Sequence, residues 1–286
     1  MTLEYWFMLP ISVLIATVAM ASGVEGATFF APLFLLALGL PPDVAIGTGL
    51  ITEVFGFASG VFAYVRRKLI DYRLAGTLLV VTVPMAILGT WLSGIVEPTV
   101  LKIILGIGLF AVALSFLRLP APRELAAANG AGELGPDAER AEARLVSAAG
   151  ETFCYTVCRR GEGMMLAGIG AMFMGMISTG LGELNGFFLL RRCKVPSKVA
   201  VATGVLVVAL TALVAASGHL LRFIQEGGAV METVLSLVIF TVPGVIVGGQ
   251  LGAVVATRIP QHRLERALGV LFVLVSALLL GDVFLA

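Results

Sequence analysis

Apolar runs separated by short polar clusters recur along the whole chain. Six of them, roughly 43–65, 73–92, 99–118, 198–221, 231–256 and 263–285, are long enough to cross a bilayer as helices. Two further runs, 6–38 and 164–190, are interrupted by glycine motifs. The first reads Ser22-Gly23-Val24-Glu25-Gly26, the second Ser178-Thr179-Gly180-Leu181-Gly182-Glu183. The one extended polar region, 119–163, opens with Pro120-Ala121-Pro122 and continues through a flexible Ala/Gly stretch. Within it, residues 137–158 mix Ala, Glu and Arg at spacings that permit a helix. The pattern predicts an all-α polytopic membrane protein.

The pattern is written twice. Residues 40–49 and 195–204 agree at five of ten positions, through the shared Pro-x-x-Val-Ala-x-x-Thr-Gly. Thr82-Val83-Pro84 returns as Thr241-Val242-Pro243, with Ile87 and Gly89 matching Ile246 and Gly248. The expected organisation is a first membrane repeat over 1–118, a cytoplasmic linker over 119–163 and a second membrane repeat over 164–286. Each repeat holds one glycine-broken helix pair and three transmembrane helices.

Charge sets the topology. If both broken runs fold back as re-entrant pairs, 17 of the 19 Lys and Arg residues fall on one side, leaving only Lys102 and Arg222 outside. If both cross once, eight basic residues lie outside. The positive-inside rule selects the re-entrant reading. Each repeat then makes an odd number of crossings, so the two repeats are inverted and both termini lie on the periplasmic or extracellular side. The apolar N-terminal run lacks the basic start of a secretory signal and has an internal counterpart near Met164, so it is read as a retained membrane helix.

Composition agrees. The 286 residues are 59% hydrophobic and 13% charged, with mean hydropathy +1.03, against about 45–50% apolar and about 25% charged in soluble domains. A net charge of +1 makes no case for nucleic acid. Three cysteines make no disulfide framework, and Cys154 and Cys158 would share a helix face. With only His219 and His262 to join them, no metal site or cofactor is expected. No phosphate-binding Gly-x-x-x-x-Gly-Lys-Ser/Thr loop is present, so energy must come from a gradient or a separate protein. No His-Glu-x-x-His or nucleophile–base pairing suggests an enzyme. The sequence leaves a homo-oligomer open.

The candidate chemistry lies at the breaks. A helix broken in lipid frees backbone N–H and C=O groups, and this is tolerated only where protein, water or a ligand satisfies them. The half-helices beginning near Gly26 and Glu183 would present positive dipole ends to an anion. The competing reading is that these glycines only allow close helix packing. Thr48 and Thr203 either bond back to their own helices or hold a substrate oxygen, and Ser22, Ser178, Thr179 and Asn185 are further donors of this kind. Glu25, Glu53 and Glu183 lie in apolar surroundings, where a carboxylate must face a cavity, pair or be protonated. Glu25 and Glu183 are read at matching positions of the two breaks, as half-helix caps or as proton carriers. His219 reads as an interfacial residue.

A glycine-broken apolar segment followed by Leu-Pro-Pro-x-x-Ala-x-x-Thr, repeated after a polar linker, resembles the TauE/SafE sulfite-exporter family of bacterial membrane proteins. The resemblance covers both halves. It implies a multi-pass transporter of the inner membrane that moves sulfite, sulfonates or related small anions. It carries over to Gly23, Gly26, Gly180, Gly182, Thr48 and Thr203. Glu25 and Glu183 depart from the family's glycine runs, which suggests proton coupling or a different substrate. The expected function is a secondary transporter exporting a small anion from a site at the two half-helix N-termini near the midplane. The alternative is an anion channel or a transporter of a different small solute.

Overall fold

The computed structural model describes residues 3–22, 25–117, 143–156, 158–255 and 261–285. The first half contains α1 (Met8–Ser22), α2 (Ala27–Ala37), α3 (Pro42–Arg67), α4 (Tyr72–Ile95) and α5 (Pro98–Leu117). A two-stranded hairpin follows, β1 (Ala143–Val146) and β2 (Thr152–Tyr155). The second half contains α6 (Arg160–Ile177), α7 (Leu181–Gly186) continued by a π-helical turn over Phe187–Arg192, α8 (Ser197–Glu226), α9 (Gly228–Val255) and α10 (Gln261–Leu285). Six of these helices are long and apolar enough to span a membrane. The fold is all-α and polytopic, and α1, α2 and α7 are the short helices on either side of the two glycine breaks.

The repeated prolines mark helix starts. The matched Pro41 and Pro196 directly precede α3 and α8, and Pro42 opens α3, where the ring's fixed φ is preorganised for helix and its missing N–H would have no partner anyway. α3 stops where Lys68 turns left-handed (φ 53°) and its N–H reaches back to the carbonyls of Tyr64 and Val65. α4 starts on Asp71, whose carboxylate accepts from the N–H groups of Arg73 and Leu74. α8 has 30 residues against 26 in α3. The extra turn matches the spacing of the repeat: Thr203 follows Thr48 by 155 residues, whereas Thr241 follows Thr82 by 159.

Packing is preserved when the halves are exchanged. α1 lies on α9 and α6 on α4; α2 packs on α3 and α7 on α8; α3 also meets α9, and α4 meets α8. The matched glycines are contact points: a Cβ on Gly248 would strike the backbone of α1 at Val13, and one on Gly89 the backbone of α6 at Met172. Small residues let membrane helices approach this closely. The matched threonines bond in the same exchanged way, Thr211 donating to Thr82 (2.9 Å) and Thr52 pairing with Thr241 (2.8 Å). Two equivalent pairs run antiparallel. Gly47 of α3 sits by Phe223 of α8 while Gly60 sits by Val205. In the other pair, Lys102 at the start of α5 bonds Asp282 near the end of α10 (2.8 Å), and Gly269 meets Leu117.

α6 and α7 form a hairpin. Gly170 lies against Leu181 and Gly163 against Phe188. Arg192 donates to Glu162 (3.0 Å), and Cys158 and Cys193 are joined by a disulfide. The second glycine-broken run therefore folds back on itself.

Two expectations for the linker are corrected. Residues 143–155 form a β-hairpin rather than part of a helix over 137–158, with Gly150 at φ 83° in the turn. The cause is local: Thr152-Phe153-Cys154-Tyr155 is a β-branched and aromatic run, and its alternation buries Phe153 and Tyr155. Cys154 and Cys158 consequently share no helix face, and Cys158 bonds Cys193 instead. Residues 137–142 and 157 lie outside the described residues. The hairpin docks where the basic clusters converge. Ala148 N–H donates to the Arg67 carbonyl (2.9 Å), Tyr155 donates to Asp71 (2.6 Å), and Lys198 bonds Glu151 (2.7 Å). The α3–α4 turn, the start of α8 and the open ends of the α6–α7 hairpin thus share one face.

Candidate functional site

The two breaks lie against each other. In the second, α6 ends at Ile177, Ser178 turns left-handed (φ 60°), and Gly180 adopts φ 116° before α7 begins. Only glycine takes that last conformation without strain. In the first, α1 ends at Ser22 and α2 begins at Ala27, with Gly26 as the preceding residue; Gly23 lies outside the described residues. The Thr28 hydroxyl donates to Thr179 across the junction (3.0 Å). The Gly182 N–H donates to the Glu25 carboxylate. Glu183 accepts from the Gly180 N–H (3.1 Å), which is the half of a capping box that a glycine N-cap allows.

Glu25 and Glu183 are therefore not at matching positions. Glu25 precedes α2 by two residues, whereas Glu183 is the third residue of α7. Both carboxylates sit on one helix end, the N-terminus of α7, and Glu25 reaches it from the other half. The orphan N–H groups that a half-helix offers are there taken up by the protein's own acids.

A cavity of about 370 Å³ opens beside this junction. Its buried polar side chains are Glu25, Glu53 and Asn185, with the backbones of Gly26, Gly182 and Gly204 close by. All three side chains are buried, at 3%, 4% and 2% exposure. One oxygen of Glu25, both of Glu53, and both polar atoms of Asn185 have no hydrogen-bond partner. Buried polar atoms without partners are uncommon, and here they line open space. Among the described residues no Lys, Arg or His lines the cavity. From Glu53 the lining continues along α3 through Gly56 and Gly60 to Tyr64, just short of Arg66 and Arg67 at the basic face.

Of the sequence-predicted residues, the structure brings Glu25, Gly26, Gly182 and Asn185 to the cavity. Thr179, Gly180 and Glu183 stand at the junction behind it. Ser178 and Thr48 are fully buried with unpartnered hydroxyls, neither lining the cavity, and Ser22 closes α1. Thr203 is committed elsewhere, accepting from the Asp71 N–H (3.0 Å) at the basic face. His219 is fully buried with Nε2 at 3.0 Å from the Gly175 carbonyl, so it is not interfacial. Glu53 and Thr28 are the residues that site prediction missed. The signal for Glu53 was visible, a carboxylate within an apolar span, but only tertiary packing sets its oxygen beside Gly26, 3.7 Å from where a Cβ there would sit.

The profile of the family described as Sulfite exporter TauE/SafE matches residues 8–279. The chain belongs to the TauE/SafE family. It is 22% identical over 259 residues to a Bacillus subtilis (strain 168) protein described as a probable membrane transporter, YunE, covering 91% of this chain and 88% of that one. No solved structure matches it. This TauE/SafE protein is a multi-pass membrane transporter, with its cavity at the junction of the two breaks.

Proposed function

We propose that this TauE/SafE protein is a secondary transporter that exports a small oxyanion (sulfite, a sulfonate or a related organic anion) across the bacterial inner membrane with a linked proton. Its organisation is two inverted repeats, 1–118 and 164–286, joined by a cytoplasmic linker. The antiparallel pairing of α3 with α8 and of α5 with α10 supports the inversion, because helices related by a two-fold axis in the membrane plane run oppositely. The basic face is cytoplasmic, so the cavity reaching from Glu53 toward Tyr64 is the cytoplasmic access route.

The carrying observation is the set of buried, unpartnered polar atoms of Glu25, Glu53 and Asn185 where the breaks meet. The Asn185 amide and the nearby glycine backbone give an oxyanion donors. With Glu25 and Glu183 both on the α7 end, a proton on one relieves their repulsion and lets an anion approach. Release of the anion would then release the proton.

A second reading, a transporter of a different small solute, is favoured by the acidic lining, which would hold a cationic or neutral solute without protonation. Reconstituted protein loaded with sulfite or ethanesulfonate decides between them. Saturable efflux accelerated by an imposed pH gradient is the expected result. Non-saturable flux would mean a channel, and absence of anion flux beside flux of small amines would install the second reading.

A further inference from the structure

We propose that Glu53, Asn185 and the free oxygen of Glu25 form a binding site for a sodium ion. The three side chains come from separate elements, α3, α7 and the first break, and line one cavity. Each is more than nine-tenths buried, and together they present oxygen atoms with no hydrogen-bond partner. Glu53 is the extreme case, with neither oxygen bonded. An uncompensated carboxylate at membrane depth is costly, and no basic side chain lines the cavity to offset it among the described residues. α1 ends beside the cavity, with Ala19 and Met20 in its wall, so the partial negative end of that helix also faces it. Broken transporter helices characteristically use such C-terminal ends for small cations.

The charges and ligand count fit a monovalent ion. Glu25 has one oxygen committed to Gly182 and lies on the positive end of α7. Glu53 faces the start of α2, beside the backbone of Gly26 and Ala27, but neither of its oxygens completes a hydrogen bond there. The available set is four side-chain oxygens, fewer than the six to eight that calcium takes, and magnesium keeps several of its own waters. No cluster of three or more His, Cys, Asp or Glu suited to a metal occurs among the described residues. A single charge costs less to dehydrate than a divalent one, and the small sodium ion binds carboxylate oxygens more strongly than the larger potassium ion does.

The site shares its cavity with the proposed transport function but does not depend on the solute carried. Its test therefore omits any anion substrate other than chloride. Thermal unfolding of the purified full-length protein is followed at each of two fixed pH values while sodium chloride replaces choline chloride at constant ionic strength. A ligand bound only by the folded state raises apparent stability. Sodium should raise the melting temperature saturably, and potassium should not. Glu53→Gln and Asn185→Ala should shift the half-saturating sodium concentration upward by about tenfold or more, the loss expected when even an outer partner of a metal ligand is removed. Both should still melt cooperatively in choline. Identical melting in all three salts overturns the proposal, as does a sodium response unchanged in both variants. Stabilisation by lower pH with none from sodium replaces the sodium ion with a proton. If Glu53→Gln does not fold, the wild-type salt comparison and Asn185→Ala decide. Failure of anion flux leaves this result intact, and absence of sodium binding leaves the transport reading intact.

Discussion

Glu25 and Gly182 belong to different halves, yet one hydrogen bond joins them at the wall of the cavity. A Cβ on Gly182 would lie 2.7 Å from Glu25 Oε1. Gly182→Ala must therefore displace the carboxylate and break that bond. Losing a hydrogen bond to a charged group costs about 1.5–3 kcal/mol, so the variant should insert but melt lower and transport poorly; wild-type melting and flux would mean the junction is plastic. Glu25→Gln and Glu183→Gln test proton linkage, since an amide still occupies the space but cannot titrate. Anion flux measured from about pH 5 to 9 brackets any carboxyl retuned toward neutrality. The wild-type dependence should flatten in one or both variants. Profiles that keep their shape in both singles and the double would leave these residues as caps.

At the scale of elements, close approach and docking hold the parts together. α1 rests on α9 through Gly244, Gly248 and Gly252, and α6 on α4 through Gly89, Gly168 and Gly175. Gly248→Leu should separate α1 from α9 and reduce folded yield, read by detergent-resistant gel filtration; normal yield would remove the packing role. The β-hairpin is tied down by Tyr155 on Asp71. Burial first, and then the Asp71 carboxylate, push the Tyr155 phenol above its ordinary range. The folded state thus favours the protonated phenol. Its contribution is complete below the unfolded value of about 10 and declines only as pH rises beyond it. Tyr155→Phe should lower stability by about 1–2 kcal/mol, by the same amount at every pH from about 6 to 9. A loss that vanished toward the alkaline end of that range would contradict the assignment.

At the scale of the whole molecule, the hairpin, the α3–α4 turn and the start of α8 form one basic face, while Lys102 and Asp282 pair at the opposite end of the α5–α10 contact. Single cysteines placed at Glu97 and Gly227, in a cysteine-free background, should react with an impermeant reagent in intact cells. Those at Lys68 and Lys194 should react only after lysis. Labelling of Lys68 and Gly227 from the same side would end the inverted-repeat proposal, because α3 and α8 run antiparallel and these residues cap equivalent helices.

Membrane class, the long spans, the two breaks and the duplication were all legible in the chain, because each is a matter of composition or local spacing. The repeated prolines and glycines could be matched by eye, and the one-turn difference between α3 and α8 was already present in the unequal repeat offsets. The β-hairpin was missed because charged and small residues at helical spacing masked a short strand signal at Thr152–Tyr155. The site was legible in outline only. Spacing placed Glu25 and Glu183 in equivalent roles, but the register of α7 put Glu183 on its own helix end and delivered Glu25 to the same end from the other half. Thr203 matches Thr48 in sequence and yet serves the α3–α4 turn. Glu53 reaches the cavity only because α3 packs against the first break, a contact between residues more than twenty positions apart. Local sequence decides where a helix must stop. Which unpaired group then faces which is decided by how the two halves pack, because burial leaves each polar atom only the partners that packing brings within reach.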